Sequence, residues 1–134
     1  MSKGFSWIDR TLIRSPYHIS LCTTEKGFHA VLKKLKVPEK DWPEFVTEDI
    51  GACVQIFEYD QHLFAVVNME KSKRPVEEIY STLTHEAVHI FQHIREFIGE
   101  QYPSVEFEAY SIQNISQNLM ESYKRQTSTK KGTK

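Results

Sequence analysis

Residues 81–97, STLTHEAVHIFQHIREF, set the expected fold because they combine an apolar stripe of helical spacing with several ionisable side chains. Pro75 precedes this pattern and Gly99 follows it, and a proline at the start and a glycine past the end are typical of a helix. The sequence therefore predicts a long helix over 76–98. At about 100° per residue, its apolar stripe is expected to face the core. The stripe contains Ile79, Leu83, Ile90, Ile94 and Phe97.

One acidic residue, Glu86, falls in the middle of this stripe, and His85, His89 and His93 lie along its flank. A carboxylate among core side chains costs on the order of several kcal/mol unless it is paired or bound. The pattern H-E-x-x-H offers a reason: His85 and His89 can hold one zinc ion, and Glu86 can reach a water on that ion. A shuffled chain of this composition is expected to contain roughly 0.03 accidental matches to this pattern. The metal site is therefore favoured over a purely structural helix.

A third ligand is needed, because a catalytic zinc ion takes three protein ligands and leaves one position to water. His93 lies ~12 Å along the helix axis from His85, too far for three imidazoles of one straight helix to converge comfortably. His93 is therefore expected outside the ligand set. The next segment, SVEFEAYSIQNISQNLMESY, predicts a helix capped by Ser104 and running to about Lys124.

Two acids of this later helix compete for the third ligand position. Glu108 shares its face with the apolar residues expected to pack on the first helix, which favours it as the ligand. Glu106 shares its face with polar residues, and in the first turn a carboxylate already stabilises the helix dipole. The alternative for Glu108 is a carboxylate satisfied by a local donor such as Arg95.

The rest of the chain predicts a small sheet. GACVQIFEY and HLFAVVNM are β-branched and aromatic runs around a turn-prone DQ pair, so a β-hairpin is expected over 50–68. HISLCTT at 18–24 predicts a strand, and Thr24 is expected to cap a helix over 25–37. Together these elements predict an α+β domain in which a small, mainly antiparallel sheet packs on the H-E-x-x-H helix and the C-terminal helix follows it.

Length and composition favour a single domain over 1–124 followed by a polar, basic, disordered tail at 125–134. The formal net charge of −1 gives no electrostatic basis for a nucleic-acid or acidic-membrane partner. No apolar run approaches the ~20 residues that span a bilayer. Cys22 and Cys53 show neither metal-type spacing nor a disulfide-dense pattern, so buried thiols in a reducing, cytoplasmic setting are expected.

These residues resemble the gluzincin zinc metallopeptidases, in which H-E-x-x-H on one helix is completed by a glutamate on a following helix. The chain is most similar to small single-domain minigluzincins and to phage-encoded metallopeptidases, where HEAVH is followed at a similar distance by EFEAYSIQ. The similarity covers roughly residues 50–122. It implies zinc ligands His85, His89 and Glu108, and an edge strand, here HLFAVVNM, that holds an extended peptide or protein substrate.

The mechanism implied by the resemblance is metal-assisted hydrolysis of a peptide bond. Zinc lowers the pKa of its water toward ~7 and polarises the scissile carbonyl group. Glu86 is then the general base that takes the proton of the water and delivers it to the leaving amine.

The chain departs from larger gluzincins in two ways. The acidic residue found there four positions after the third ligand is Ile112 here, so Ser111 or a backbone carbonyl is expected to orient the ligands. The second domain that supplies an oxyanion-stabilising His or Tyr does not fit in this length, and Tyr102, Tyr110 and His62 are the candidates to replace it. A peptidase of narrow specificity is expected. The alternative is a zinc-containing accessory or binding protein, of phage or mobile-element type, that hydrolyses nothing.

Overall fold

The structure is a computed structural model that describes residues 4–8, 15–46 and 51–128. Within these ranges, four strands form one sheet: β1 (Phe5–Ile8), β2 (Tyr17–Cys22), β3 (Cys53–Tyr59) and β4 (His62–Asn68). Their order is β1-β2-β4-β3. The β1/β2 and β3/β4 pairs are antiparallel, whereas β2 and β4 are parallel. The α+β prediction is confirmed, and the sheet is mixed, with one parallel pair among its antiparallel ones.

The predicted hairpin is confirmed as β3 and β4. Its turn residues Asp60 and Gln61 have φ angles of 52° and 66°. Left-handed conformations at both central positions suit the right-handed twist of paired strands.

Three helices were expected, and each is present in the described residues: α1 (Glu25–Lys34), α2 (Val76–Phe97) and α3 (Val105–Thr127). A short 3₁₀ helix also occupies Glu39–Asp41. The predicted caps are confirmed, because the Thr24 hydroxyl accepts from Gly27 N at 2.9 Å and the Ser104 hydroxyl accepts from Phe107 N at 3.2 Å. None of the described helices has the length and apolar character needed to cross a membrane.

The helices cover both faces of the sheet. Successive strand residues point to opposite faces, so Leu21 and Val67 face one layer while Cys22 and Val66 face the other. The first pair belongs to the core shared with α2 and α3, and the second pair to the core shared with α1. The sheet is thus the middle layer, and α2 and α3 share one side of it.

The edge strand differs from the expectation. HLFAVVNM was expected at the edge, but β4 lies between β2 and β3, and β3 is the edge strand next to α2. The physical reason is visible in β4 itself, where Ala65, Val66 and Val67 are completely buried. An apolar run buried on both faces is typical of a central strand.

The C-terminal helix is longer than expected. It continues to Thr127, so the beginning of the segment predicted as a disordered tail is helical and packed. The Gln126 amide nitrogen lies 3.0 Å from the Leu21 carbonyl oxygen, and its oxygen accepts from the Thr23 hydroxyl at 2.9 Å. The same nitrogen is close to the hydroxyls of Ser6 and Ser122, which contact each other. Residues 129–134 of the predicted tail lie outside the described residues.

We expect Gln126→Ala to lower the free energy of unfolding by about 1–3 kcal/mol, because it leaves buried polar partners on two strands unsatisfied. The control is the neighbouring exposed residue: Arg125→Ala should change the free energy of unfolding by less than about 0.5 kcal/mol. Urea denaturation followed by circular dichroism measures both. Equal effects of the two substitutions would contradict the anchoring role of Gln126.

Candidate metal centre

The candidate centre lies on α2, whose buried side contains one charged residue. The buried residues of the helix are Ile79, Leu83, Glu86, Ala87, Ile90, Phe91 and Ile94. Glu86 is 5% exposed, which confirms its predicted place in the apolar stripe. Phe97, also predicted in that stripe, is 60% exposed because it is the last residue of the helix.

The two histidines of the H-E-x-x-H pattern converge on each other. His85 and His89 are both exposed, and their Nε2 atoms are 3.2 Å apart. Two nitrogens bound at ~2.0–2.1 Å to one tetrahedral zinc ion are roughly 3.3–3.4 Å apart, so this spacing fits two ligands of such an ion. The same distance also fits an N–H···N hydrogen bond between neutral imidazoles.

Glu86 lies beside the histidine pair in a groove between α2 and the start of β3. The groove has a volume of about 380 Å³ and also contains His93 and the backbone region of Ala52 to Val54. Burial raises the pKa of the Glu86 carboxyl group, while the nearby His85 and His89 lower it. In the described part of the chain, no hydrogen bond or ion pair involves this carboxylate, but its oxygen atoms are not among the fully buried unpaired ones, so they keep contact with the solvent of the groove.

Glu108 does not lie where the sequence placed it. A buried acid facing Glu86 was expected, but Glu108 is exposed, as is Glu106. The apolar face of α3 is fully buried only further along, at Ile115 and Leu119, whereas Phe107 and Ile112 are partly buried against the core. Glu108 instead lines a pocket of about 330 Å³ between α2 and α3.

No complete ligand set is present in the arrangement seen. Across residues 4–8, 15–46 and 51–128, no three His, Cys, Asp or Glu side chains are close enough to hold one metal ion. The structure thus brings together His85, Glu86 and His89, and it leaves Glu108 on the α3 side of the pair. The role of Glu108 as third ligand stays a prediction.

The residues suggested for oxyanion stabilisation are not gathered at the groove. His62 lies on the opposite face of the sheet, with its ring 5.4 Å from that of His18. Tyr102 and Tyr110 are 86% and 59% exposed. His93 does line the groove, and its ring is 6.2 Å from that of Tyr17.

Gln92 is the contact that the sequence analysis missed. Its Oε1 atom lies 3.0 Å from Nδ1 of His89, whereas Ser111 or a backbone carbonyl was expected to make such a contact. The available signal was the spacing of the two residues, because side chains three apart on a helix are neighbours.

The two cysteines are free thiols, as expected, but they differ in burial. Cys22 is fully buried, and burial raises its pKa to about 12. Cys53 is only half-buried and borders the groove, and its pKa is also raised, mainly by burial. The prediction of buried thiols is therefore confirmed for Cys22 alone.

Comparisons of the chain with protein-family models, curated proteins and solved structures found no match. The likeness to gluzincins thus rests on the residue pattern alone.

We expect metal-free Glu86→Gln to have a higher melting temperature than the metal-free wild type at pH 8. Because burial raises the folded-state pKa of Glu86 above that of the unfolded chain, the stability that this group contributes is fully present below its unfolded-state pKa and is lost as pH rises through the folded-state pKa. The difference between the two proteins should therefore shrink toward pH 4. Calorimetry in the presence of a chelator measures it, with the exposed Glu58→Gln as control. If the difference in melting temperature grew toward low pH, burial would not raise the pKa of Glu86.

Proposed function

We propose that this protein is a zinc-dependent metallopeptidase of the gluzincin type, with narrow specificity for a peptide or protein substrate. One observation carries the proposal: the Nε2 atoms of His85 and His89 lie 3.2 Å apart beside the buried carboxylate of Glu86. Histidines one turn apart with an adjacent glutamate are the arrangement that a metallopeptidase uses.

His85 and His89 hold the metal in this proposal, and Glu108 completes the set from α3. The choice of Glu108 is supported by the pocket that it lines together with Gln92, because Gln92 also contacts His89. When bound, zinc supplies a Lewis acid that polarises the scissile carbonyl and makes its water acidic near neutral pH.

Glu86 moves the proton. Its carboxylate takes a proton from the attacking water and then gives that proton to the leaving amine. A general base must be ionised, and burial alone opposes ionisation. His85 and His89 lower the pKa of Glu86, and a cation held by them would lower it further, which favours the ionised carboxylate.

The substrate is proposed to lie along β3 rather than β4. In the described chain, β3 pairs only with β4, so its other side presents unpaired backbone groups next to the groove. An extended peptide can add to such an edge through main-chain hydrogen bonds, while pockets select alternate side chains.

The second candidate is a zinc-containing accessory or binding protein without turnover. It is favoured by one observation, the lack of a third ligand close to the histidine pair within the described residues. Zinc binding does not distinguish the two functions, whereas turnover does.

We expect purified protein to contain one zinc ion per chain, with the metal lost in His85→Ala, His89→Ala and Glu108→Ala. His93→Ala and Glu106→Ala are the matched controls and should retain it. Elemental analysis after dialysis gives the content of each variant. Loss in Glu106→Ala together with retention in Glu108→Ala would overturn the choice of third ligand.

Glu86→Gln should retain zinc and lose peptide hydrolysis by a factor on the order of 10² to 10⁴, because glutamine is nearly isosteric but cannot accept the proton. Both proteins are incubated with a proteome-derived peptide library, with and without chelator, and cleavage is read by mass spectrometry. Equal cleavage by the two proteins would exclude Glu86 as the base. If the zinc-loaded wild type cleaves nothing, the accessory-protein function is supported instead.

A further inference from the structure

Gln92 contacts the histidine pair from the α3 side. Its Oε1 atom is 3.0 Å from Nδ1 of His89. The same side chain lines the pocket between α2 and α3 that also contains Glu108. Gln92 therefore stands between the second histidine of the pair and the predicted third ligand.

The chemistry of this contact selects a tautomer. An amide oxygen only accepts hydrogen bonds, so a neutral His89 must carry its proton on Nδ1 to make the bond. The lone pair is then on Nε2, the atom that lies 3.2 Å from Nε2 of His85. With the proton on Nε2 instead, that nitrogen would be a donor and could not bind a cation.

The same bond restricts the position of the ring. His89 and Gln92 are both exposed, and apart from this bond the His89 ring contacts the ring of His85, with centroids 4.7 Å apart. Since they belong to the same helix, their spacing does not depend on how α3 or the sheet is placed.

We propose that Gln92 is a positioning residue that holds His89 in the Nδ1–H tautomer and aims its Nε2 lone pair at the position shared with His85. The use of that lone pair for a metal rests on the proposed function. The tautomer itself is a property of the metal-free protein. Partners of this kind on ligating histidines typically contribute 10–100-fold to metal affinity.

The test compares wild type with Gln92→Leu, which removes the acceptor, and Gln92→Glu, which retains one. The control is Gln113→Leu, which replaces an exposed glutamine on α3. The His89 tautomer is read in the metal-free proteins from long-range proton–nitrogen NMR at about pH 8.5, where an ordinary imidazole is neutral. Zinc affinity is measured by competition with a coloured chelator, and thermal melting verifies that each variant folds.

We expect wild type, Gln92→Glu and Gln113→Leu to show His89 protonated on Nδ1, and Gln92→Leu to shift toward the Nε2–H form. Zinc affinity should fall about 10–100-fold in Gln92→Leu and recover in Gln92→Glu. A purely structural role would change melting without changing the tautomer.

Two results would overturn the proposal. The first is an Nε2–H tautomer in the wild type, which would mean that the Gln92 amide donates to Nδ1. The second is a Gln92→Leu protein with an unchanged tautomer and a zinc affinity within about twofold of wild type. Failure of peptide cleavage would bear on the proposed function alone, because neither readout involves turnover.

Discussion

The packing of the α2 apolar stripe on the sheet determines where every residue of the candidate centre points. Leu83, Ala87 and Ile90 are completely buried, and they fix the rotation of the helix about its axis. Once that rotation is fixed, His85 and His89 must face outward and Glu86 must face the start of β3. Each large apolar side chain contributes about 1.5–3 kcal/mol when buried, so the rotation is set by interactions much stronger than those of the exposed histidines.

The same constraint explains why a carboxylate can occupy the core stripe. Glu86 lies at the edge of the buried region, where α2 passes the start of β3, and it borders the groove rather than the centre of the core. A carboxylate placed centrally would meet only apolar neighbours and would be more costly to ionise. The cost that remains is a reason to assign it a chemical role, because perturbed ionisable groups in clefts cluster at functional sites.

What the sequence predicted well was local and periodic, and what it missed depended on tertiary contacts. The ends of α2 were predicted from Pro75 and Gly99. The burial of Glu86 on the core side of the helix was predicted from the 3.6-residue period of the apolar residues. By contrast, the central position of β4 depends on its parallel pairing with the distant β2, which no local pattern encodes. The last turn of α3 was taken for a tail because residues 125–134 are polar and basic, yet the partners of Gln126 come from distant parts of the chain.

Glu108 illustrates a further limit. A helical wheel gives the face of a residue but not whether the rest of the protein reaches that part of the helix. The face was correct, since Ile115 and Leu119 on it are buried, but Val105, Glu106 and Glu108 at the start of α3 are exposed, Val105 by 77%.

The two ends of α3 are therefore held very differently. Near the C-terminal end, the Tyr123 hydroxyl accepts from Ser72 N at 3.0 Å, and Gln126 joins the helix to β2. The opposite end, which carries Glu108, contacts α2 through the rings of Phe107 and Phe91, whose centroids are 5.8 Å apart. His85 and His89 belong to α2, and Glu108 belongs to the part of α3 next to this aromatic contact. If Glu108 is the third ligand, as proposed, its distance from the histidine pair is set by the packing of α3 on α2.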